Sequence, residues 1–303
     1  MRIIFNGLPY FGKKLAQDLN EFAPKHSFMF FDTYYSKIDQ IKFAVNLPFA
    51  DLVVSMNGVS DKSGSLDLVL KMKNKLWMQW QGTDAMLALE RAKNNTIDRK
   101  YIDYAKNFAI APWLKDELKA IDVNCEILVN QWVVSAGFSE KKFERIGVYS
   151  YIPKGKEAFY GWEIIKYIAE KKPEISFYIF GTKGEELSKL KNITFLGLVT
   201  DENIKEIQNR LPIYIRLTEH DGYSYMVIEA LSNGSEVIWS MPHERCHLLN
   251  SMEKAEMVFD KVVNDLNKRG LTRNESNILF VKENFSREII LKKWIEKIEE
   301  VGK

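Results

Sequence analysis

A chain of 303 residues, 46% apolar and 13% aromatic, carries enough hydrophobic material for two domains with a core each. Its 43 basic residues nearly balance 41 acidic ones, and a net charge of +2 excludes a nucleic-acid protein that depends on a strong global field, so any anion site must be local. The two cysteines, Cys125 and Cys246, have neither a Cys-x-x-Cys partner nor a His cluster, which argues against a disulfide framework or a structural zinc and fits a reducing cytoplasm.

The opening stretch MRIIFNGLPYFG has one basic residue and a three-residue apolar run before Asn6, too short for a signal-peptide core. No later stretch approaches a membrane span, so the expectation is a cytoplasmic protein, with peripheral contact at the inner face of the membrane left open. Short apolar runs then alternate with segments of helical period, the pattern of βα units stacked into a parallel sheet. A first series comprises RIIFN (2–6), SFMFFD (27–32), DLVVSMN (51–57), LWMQWQ (76–81), FAIAP (108–112) and CEILVN (125–130), with helices such as GKKLAQDLNEF and GSLDLVLKMKNK between them. A second comprises RIGVYSYI (145–152), ISFYIFG (175–181), ITFLG (193–197), PIYIRL (212–217) and EVIWS (236–240), with helices over EAFYGWEIIKYIAEKK and DENIKEIQNR. The polar segment SAGFSEKKFE (135–144) separates the series and predicts a linker. The final segment spaces Ile290, Trp294 and Ile298 on one helical face. The fold class that follows is α/β, with two Rossmann-like doubly wound parallel-sheet domains over 1–140 and 141–285 and a closing helix over 286–303.

In open α/β sheets a ligand lies beyond the carboxyl ends of the strands, so the loops after strands are where chemistry is sought. One of them is RLTEHDGYSYMVIEALSNG (216–234). With a strand ending near Leu217 and a helix starting near Tyr223, the amides of Gly222, Tyr223, Ser224 and Tyr225 form an anion site at a helix N-terminus. Asp221 is either an N-cap or a ligand-facing carboxylate. Glu229, further along that helix, can accept a bidentate hydrogen bond from a ribose diol.

The run Asp221-Gly-Tyr-Ser-Tyr-Met-Val-Ile-Glu229-Ala-Leu-Ser-Asn-Gly234 resembles the Glu-Gly-Phe-Gly-x4-Glu-Ala-x3-Gly signature of family 4 glycosyltransferases, the retaining Glu-x7-Glu class with the glycosyltransferase-B fold, here as Asp-x7-Glu. The match extends to ITFLGLVTDENIKEI (193–207), to FYIFGTKGEEL (177–187), similar to a base-binding turn, and to WMQWQGTDAM (77–86), which resembles a Trp-x-Gly-Thr-Asp motif. It covers most of residues 145–240, and the N-terminal half by that motif and by layout. As an ordered cluster it is specific, whereas each piece alone is weak.

The resemblance implies two domains facing across a cleft, residues 1–140 binding acceptor and 141–285 binding a nucleotide-sugar donor, with the closing helix packed back on the first domain. Asp221 would lie by the donor sugar, Glu229 would hold the ribose, and the amides of Gly222 to Tyr225 would meet sugar hydroxyls or the diphosphate. Gly181, Thr182, Lys183 and Gly184 would border the base, with His220 in the cleft. Gly82, Thr83 and Asp84 would face it from the acceptor side, and Gly7 and Gly12 resemble a first-strand glycine loop.

The family commonly carries an Arg and a Lys after the first strand of the donor domain, and neither is in register in GVYSYIPKGKEAFYGWE (147–163), where Tyr160 stands near the Lys position. Arg216, with Lys156 behind it, is the expected replacement, because electrostatic stabilisation of the leaving diphosphate is usually the largest catalytic contribution. No Asp-x-Asp with neighbouring ligands is present, so no metal cofactor is expected. His243 and His247, on an expected helix start, lack a third ligand. Trp77, Trp80, Trp113 and Trp132 fit core and cleft wall better than a carbohydrate platform. The lysines Lys13, Lys14, Lys71, Lys73 and Lys75 suit a solvated face or an anionic bilayer. The expected function is retaining, metal-independent transfer from a nucleotide-sugar to a glycan or lipid-linked acceptor, with no nucleic-acid partner. A silent binding or partner subunit and a nucleotide-sugar epimerase are the alternatives.

Overall fold

The computed structural model describes residues 1–133, 142–184 and 186–302. They divide into two compact units, Met1–Gln131 with Arg287–Lys303 and Trp132–Ser286. The division falls earlier than the expected 140/141 boundary, and residues 135–141 of the expected linker lie outside the described residues.

The first unit holds β1 (Arg2–Asn6), β2 (Ser27–Phe31), β3 (Leu52–Ser55), β4 (Leu76–Trp80), β5 (Lys106–Ala109) and β6 (Cys125–Ile127). They form one parallel sheet in the order β2-β1-β3-β4-β5-β6. Both faces of such a sheet are covered, so its inner strands are apolar without alternation. β3 and β4 are buried at every position, and Trp77 and Trp80, of opposite parity, are both core residues. The Trp77 ring packs 4.8 Å from Phe108 and 6.5 Å from Trp294. Trp80 lies so close to Gly58 that a Cβ there would fall 1.9 Å from its ring. The helix Arg287–Val301 buries Ile290, Trp294 and Ile298 in this unit. The Trp294 indole N–H donates to the Val129 carbonyl at 2.8 Å, the partner a buried indole requires.

The second unit holds β7 (Gly147–Tyr151), β8 (Ser176–Phe180), β9 (Ile193–Gly197), β10 (Ile213–Arg216), β11 (Glu236–Trp239) and β12 (His247–Leu248). Its parallel sheet runs β12-β11-β10-β7-β8-β9. Phe177, Ile179, Ile213 and Ile215 fill one core with Ile165, Ile168 and Phe259 from the covering helices.

The expectation of two doubly wound parallel sheets holds, with two local corrections. The helix expected from Glu157 begins at Trp162, because Gly161 takes φ +66 and the preceding residues form turns. The helix expected around His243 and His247 is absent: His247 pairs with Ile238 as part of β12, and its Nε2 meets the Glu236 carboxylate at 2.9 Å. In each sheet the chain goes to one side of its first strand and later returns to the other. The two topological switch points therefore lie beyond β1/β3 and β7/β10.

Candidate functional site

The loop after β10 and the loop after β7 meet at the second switch point. They are tied by a hydrogen bond from the Glu219 amide to the Phe159 carbonyl, 2.9 Å, and by Gly161, where a Cβ would fall 2.5 Å from Leu217 Cβ and 2.6 Å from its carbonyl. With a positive φ and no room, this position requires glycine.

Arg216, the last residue of β10, donates from Nε to Asp221 Oδ2, and the Thr218 hydroxyl donates to the same oxygen at 3.3 Å. The two charged side chains are 11% and 14% exposed. The guanidinium lies over the Tyr160 ring, 5.4 Å from its centroid, where the negative π face supports a cation. Burial works against the Arg216 charge, but the Asp221 carboxylate outweighs it and the pKa goes up. Beneath them burial pushes the Tyr214 phenol up to about 12 despite the nearby arginine.

Ser224, not Asp221, is the N-cap of the helix Tyr225–Ser232, and its side chain makes no capping hydrogen bond. Asp221 stands three residues earlier, held to Arg216. Gly222 and Ser224 are buried. The Tyr223 ring turns into an aromatic cluster, 5.1 Å from Phe285, 5.7 Å from His243 and 6.4 Å from Trp239. Tyr225 and His220 are half-buried. Glu229 is also half-buried, and its charge adds to the burial that raises the pKa of Tyr149 in β7.

Gly181 has φ +96, and a Cβ there would fall 2.7 Å from the Ile152 carbonyl. Its amide donates to Gly197 at 2.7 Å and its carbonyl accepts from Lys154 at 3.3 Å, so the loop after β8 lies against the loop after β7. Thr182 is buried and Lys183 exposed. Gly184 has φ +42, and a Cβ there would fall 2.6 Å from the Phe195 ring. Lys156 is exposed on the turn whose Tyr160 stacks on Arg216: its carbonyl accepts from the Tyr160 amide at 3.0 Å.

In the first unit Gly7 follows β1 with φ +104, its α-carbon facing the Asn57 carboxamide. Gly12 lies inside the helix Pro9–Phe22, where a Cβ would meet the Phe30 ring at 2.7 Å; it serves helix-to-sheet packing. Gly82 precedes the helix Thr83–Lys93, and Thr83 is exposed. The Asp84 carboxylate accepts from the amides of Gly58 at 2.5 Å, Gln81 at 2.9 and 3.0 Å, Gly82 at 2.8 Å and Ala85 at 2.9 Å. Burial raises its pKa against those hydrogen bonds. Asp84 thus ties the loop after β3 to the loop after β4. Sequence reasoning missed this link and two neighbours, Asn6 and Asn57, whose side-chain oxygens are buried with no hydrogen-bond partner among the described residues.

Among the described residues no three His, Cys, Asp or Glu side chains group so as to hold a metal ion, and no helix is long and apolar enough to cross a membrane.

Two doubly wound parallel sheets with these switch points define the fold of the glycosyltransferase-B enzymes. No protein-family model and no curated protein sequence matches the chain. Among solved structures, it is similar to a glycosyltransferase from Rickettsia africae ESF-5, with a TM-score of 0.74, 14% identity, and 100% of this chain and 98% of that one covered. Sucrose-phosphate synthase from Thermosynechococcus elongatus gives 0.70 at 10% identity over 99% of both chains. The pneumococcal O-GlcNAc transferase GtfA, solved with UDP and GlcNAc, gives 0.61 at 14% identity over 86% of this chain. The chain spans 59% of the length of GtfA.

Proposed function

We propose that the chain is a family 4-like retaining glycosyltransferase, moving a sugar from a nucleotide-sugar to a glycan or lipid-linked acceptor without a metal. The observation that carries this reading is the buried Arg216–Asp221 pair at the β7/β10 switch point, beside the amides of Gly222 to Tyr225 and on the same loop-helix unit as Glu229. The arginine supplies the cation that would neutralise a leaving diphosphate, in place of the family's Arg and Lys. Lys156 supplies a second, more exposed charge. Glu229 suits a ribose diol, and Asp221 positions the sugar and stabilises positive charge developing at the anomeric carbon. The acceptor hydroxyl then attacks on the face the leaving group departs from and gives its proton to the departing phosphate oxygen. Peripheral membrane contact is supported by the exposed Ile38, Ile41 and Val45 on one face of the helix Lys37–Asn46, flanked by Lys37 and Lys42.

One observation favours a second reading, a silent partner subunit: Arg216 is already neutralised by Asp221. The test for both is thermal unfolding against UDP-, GDP-, ADP-, CMP- and dTDP-sugars with EDTA present, since a ligand that binds the folded state raises its stability by about 2.7 kcal/mol at a hundredfold excess over Kd. A rise with one nucleotide class that Glu229→Ala abolishes supports the transferase. No rise with any of them supports the silent partner.

A further inference from the structure

The helix Lys37–Asn46, which follows β2, is apolar on two opposite sides. Phe43 faces the core and is 1% exposed, whereas Ile38, Ile41 and Val45 are 66%, 66% and 63% exposed. At about 3.6 residues per turn these three share an arc of about 60° on the side away from Phe43. A surface helix ordinarily turns its apolar stripe to the core and polar residues to water, so three large aliphatic side chains at the centre of the outer side call for a cover of their own. Lys37 and Lys42 stand about 40° beyond the two edges of that arc. Both are exposed, and neither is in an ion pair among the described residues. The acid of this helix, Asp39, lies about 140° from the centre of the arc, and its carboxylate accepts from the Asp32 amide at 3.1 Å.

Aromatic rings stand at either end of the helix. Tyr34 and Tyr35, before it, are 50% and 80% exposed, and Phe49, after it, is 60% exposed. The Arg2 guanidinium lies 5.7 Å from the Phe49 ring centroid, and Asp51 accepts from the Arg2 amide at 2.7 Å. A second copy of this chain is a poor cover for such a face. A helix about 15 Å long and 10 Å across offers about 150 Å², against roughly 800 Å² per partner in a stable interface, and pairing the face with itself would bring lysines but no carboxylate to meet them. A phospholipid surface supplies both an apolar medium for the aliphatic side chains and anionic headgroups at the level a lysine reaches when its stem lies along the helix. Tyrosines at the ends suit the same boundary, where an amphipathic ring sits between hydrocarbon and water. The inner side of the helix has a different neighbour: Gln40 and Phe43 line a cavity of about 530 Å³ between the loops after β2 and β3.

We propose that the helix Lys37–Asn46 lies in the interface of an anionic bilayer, with Ile38, Ile41 and Val45 inserted and Lys37 and Lys42 on lipid phosphates. Because the same helix walls a strand-end cavity, the acceptor is lipid-linked and not a free glycan. That assignment of the acceptor rests on the transferase reading above, but the bilayer contact does not.

The test is flotation of the full chain with vesicles of phosphatidylcholine and with vesicles of equimolar phosphatidylcholine and phosphatidylglycerol. Binding to the anionic vesicles is expected to be about tenfold tighter or more at low salt, and the gap to narrow in molar salt. Ile38→Ser with Ile41→Ser, on exposed side chains, should keep the melting temperature and weaken binding about tenfold or more. Lys37→Gln with Lys42→Gln should remove most of the preference for the anionic vesicles. No binding to either vesicle, equal binding to both, or binding unchanged in the isoleucine variant would overturn the proposal. So would a soluble dimer that the isoleucine variant abolishes, since it would give this face to a second copy. With the donor found by the thermal panel, radiolabelled sugar incubated with host-cell membranes and cytosol should extract into butanol, and label confined to water-soluble glycan would overturn the acceptor assignment. Vesicle binding without any nucleotide response leaves the bilayer contact standing and removes the transferase, whereas a nucleotide response without vesicle binding removes this proposal alone.

Discussion

The two switch points are built from different chemistry on the same topology. Beyond β1/β3 the groups facing inward are neutral carboxamides, Asn6 and Asn57, and the one deep carboxylate, Asp84, is bound by backbone amides that join two loops. Beyond β7/β10 the loops carry an arginine and an aspartate locked to each other over an aromatic ring. A carboxylate surrounded by its own loop amides is a brace. An arginine paired to a carboxylate beyond the strand ends can exchange that partner for an anionic ligand. The difference is why the diphosphate reading is proposed for the second unit and not for the first.

The largest effect expected is on transfer. Arg216→Ala removes the cation beside the partly buried Asp221, and on the transferase reading transfer should fall by roughly two to three orders of magnitude in steady-state assays. Asp221→Asn should abolish transfer while retaining donor binding; equal loss of both would remove its positioning role.

Acid sharpens the contrast through stability. Burial pushes Glu236 up, but hydrogen bonds from His247, Arg269 and Asn274 outweigh it and hold the carboxyl at about 2, against an ordinary 4.5. Its contribution, about 3 kcal/mol, is present above the unfolded value and lost as pH falls from 4.5 toward 2. His243, held down to about 4 by burial and by Arg245, acts over a higher window. The unfolded chain protonates it near 6.5, so the second unit loses stability as pH falls from 6.5 to 4. Asp84 in the first unit has a raised pKa, so its contribution is full below its ordinary 3.8 and is lost as pH rises through its folded value. Amide exchange at pH 4 should show the second unit opening first, and His243→Phe should flatten the part of the profile between 6.5 and 4.

Glycine substitutions should separate the units by consequence. Gly58→Ala forces a Cβ into the Trp80 ring, and urea unfolding should show a loss of about 1–3 kcal/mol with nucleotide affinity of the folded protein unchanged. Gly161→Ala strains the wall of the crevice itself, and nucleotide affinity should fall with stability. The smallest effect is expected from Tyr160→Leu, which removes a cation–π contact of about 0.5–2 kcal/mol and should weaken diphosphate binding only severalfold.

The fold was legible because parallel strands buried on both faces read as apolar runs, and eleven of these runs contain or overlap β1 to β11. β12 escaped because His247 and Leu248 are two residues, neither buried, with no pattern to read. Of the segment after β10, the placing of Arg216 at a strand end, Asp221 in a loop and Glu229 on a helix was legible from the pattern of the sequence. That Asp221 would turn back onto Arg216 was not, because a loop reversal leaves no periodic trace. Asp84 was expected to face a ligand, yet its amide partners include Gly58, distant in sequence, and such a contact is fixed by tertiary packing alone.

The most direct test of the central claim is calorimetric titration of wild type, Arg216→Ala and Asp221→Asn with the nucleoside diphosphate chosen by the thermal panel, alongside the nucleoside alone. Arg216→Ala should lose about 10- to 100-fold for the diphosphate and little for the nucleoside, while Asp221→Asn, which frees the arginine, should bind the diphosphate as tightly as wild type or more so. Diphosphate affinity unchanged by loss of Arg216 would contradict the assignment of the leaving-group site to this pair.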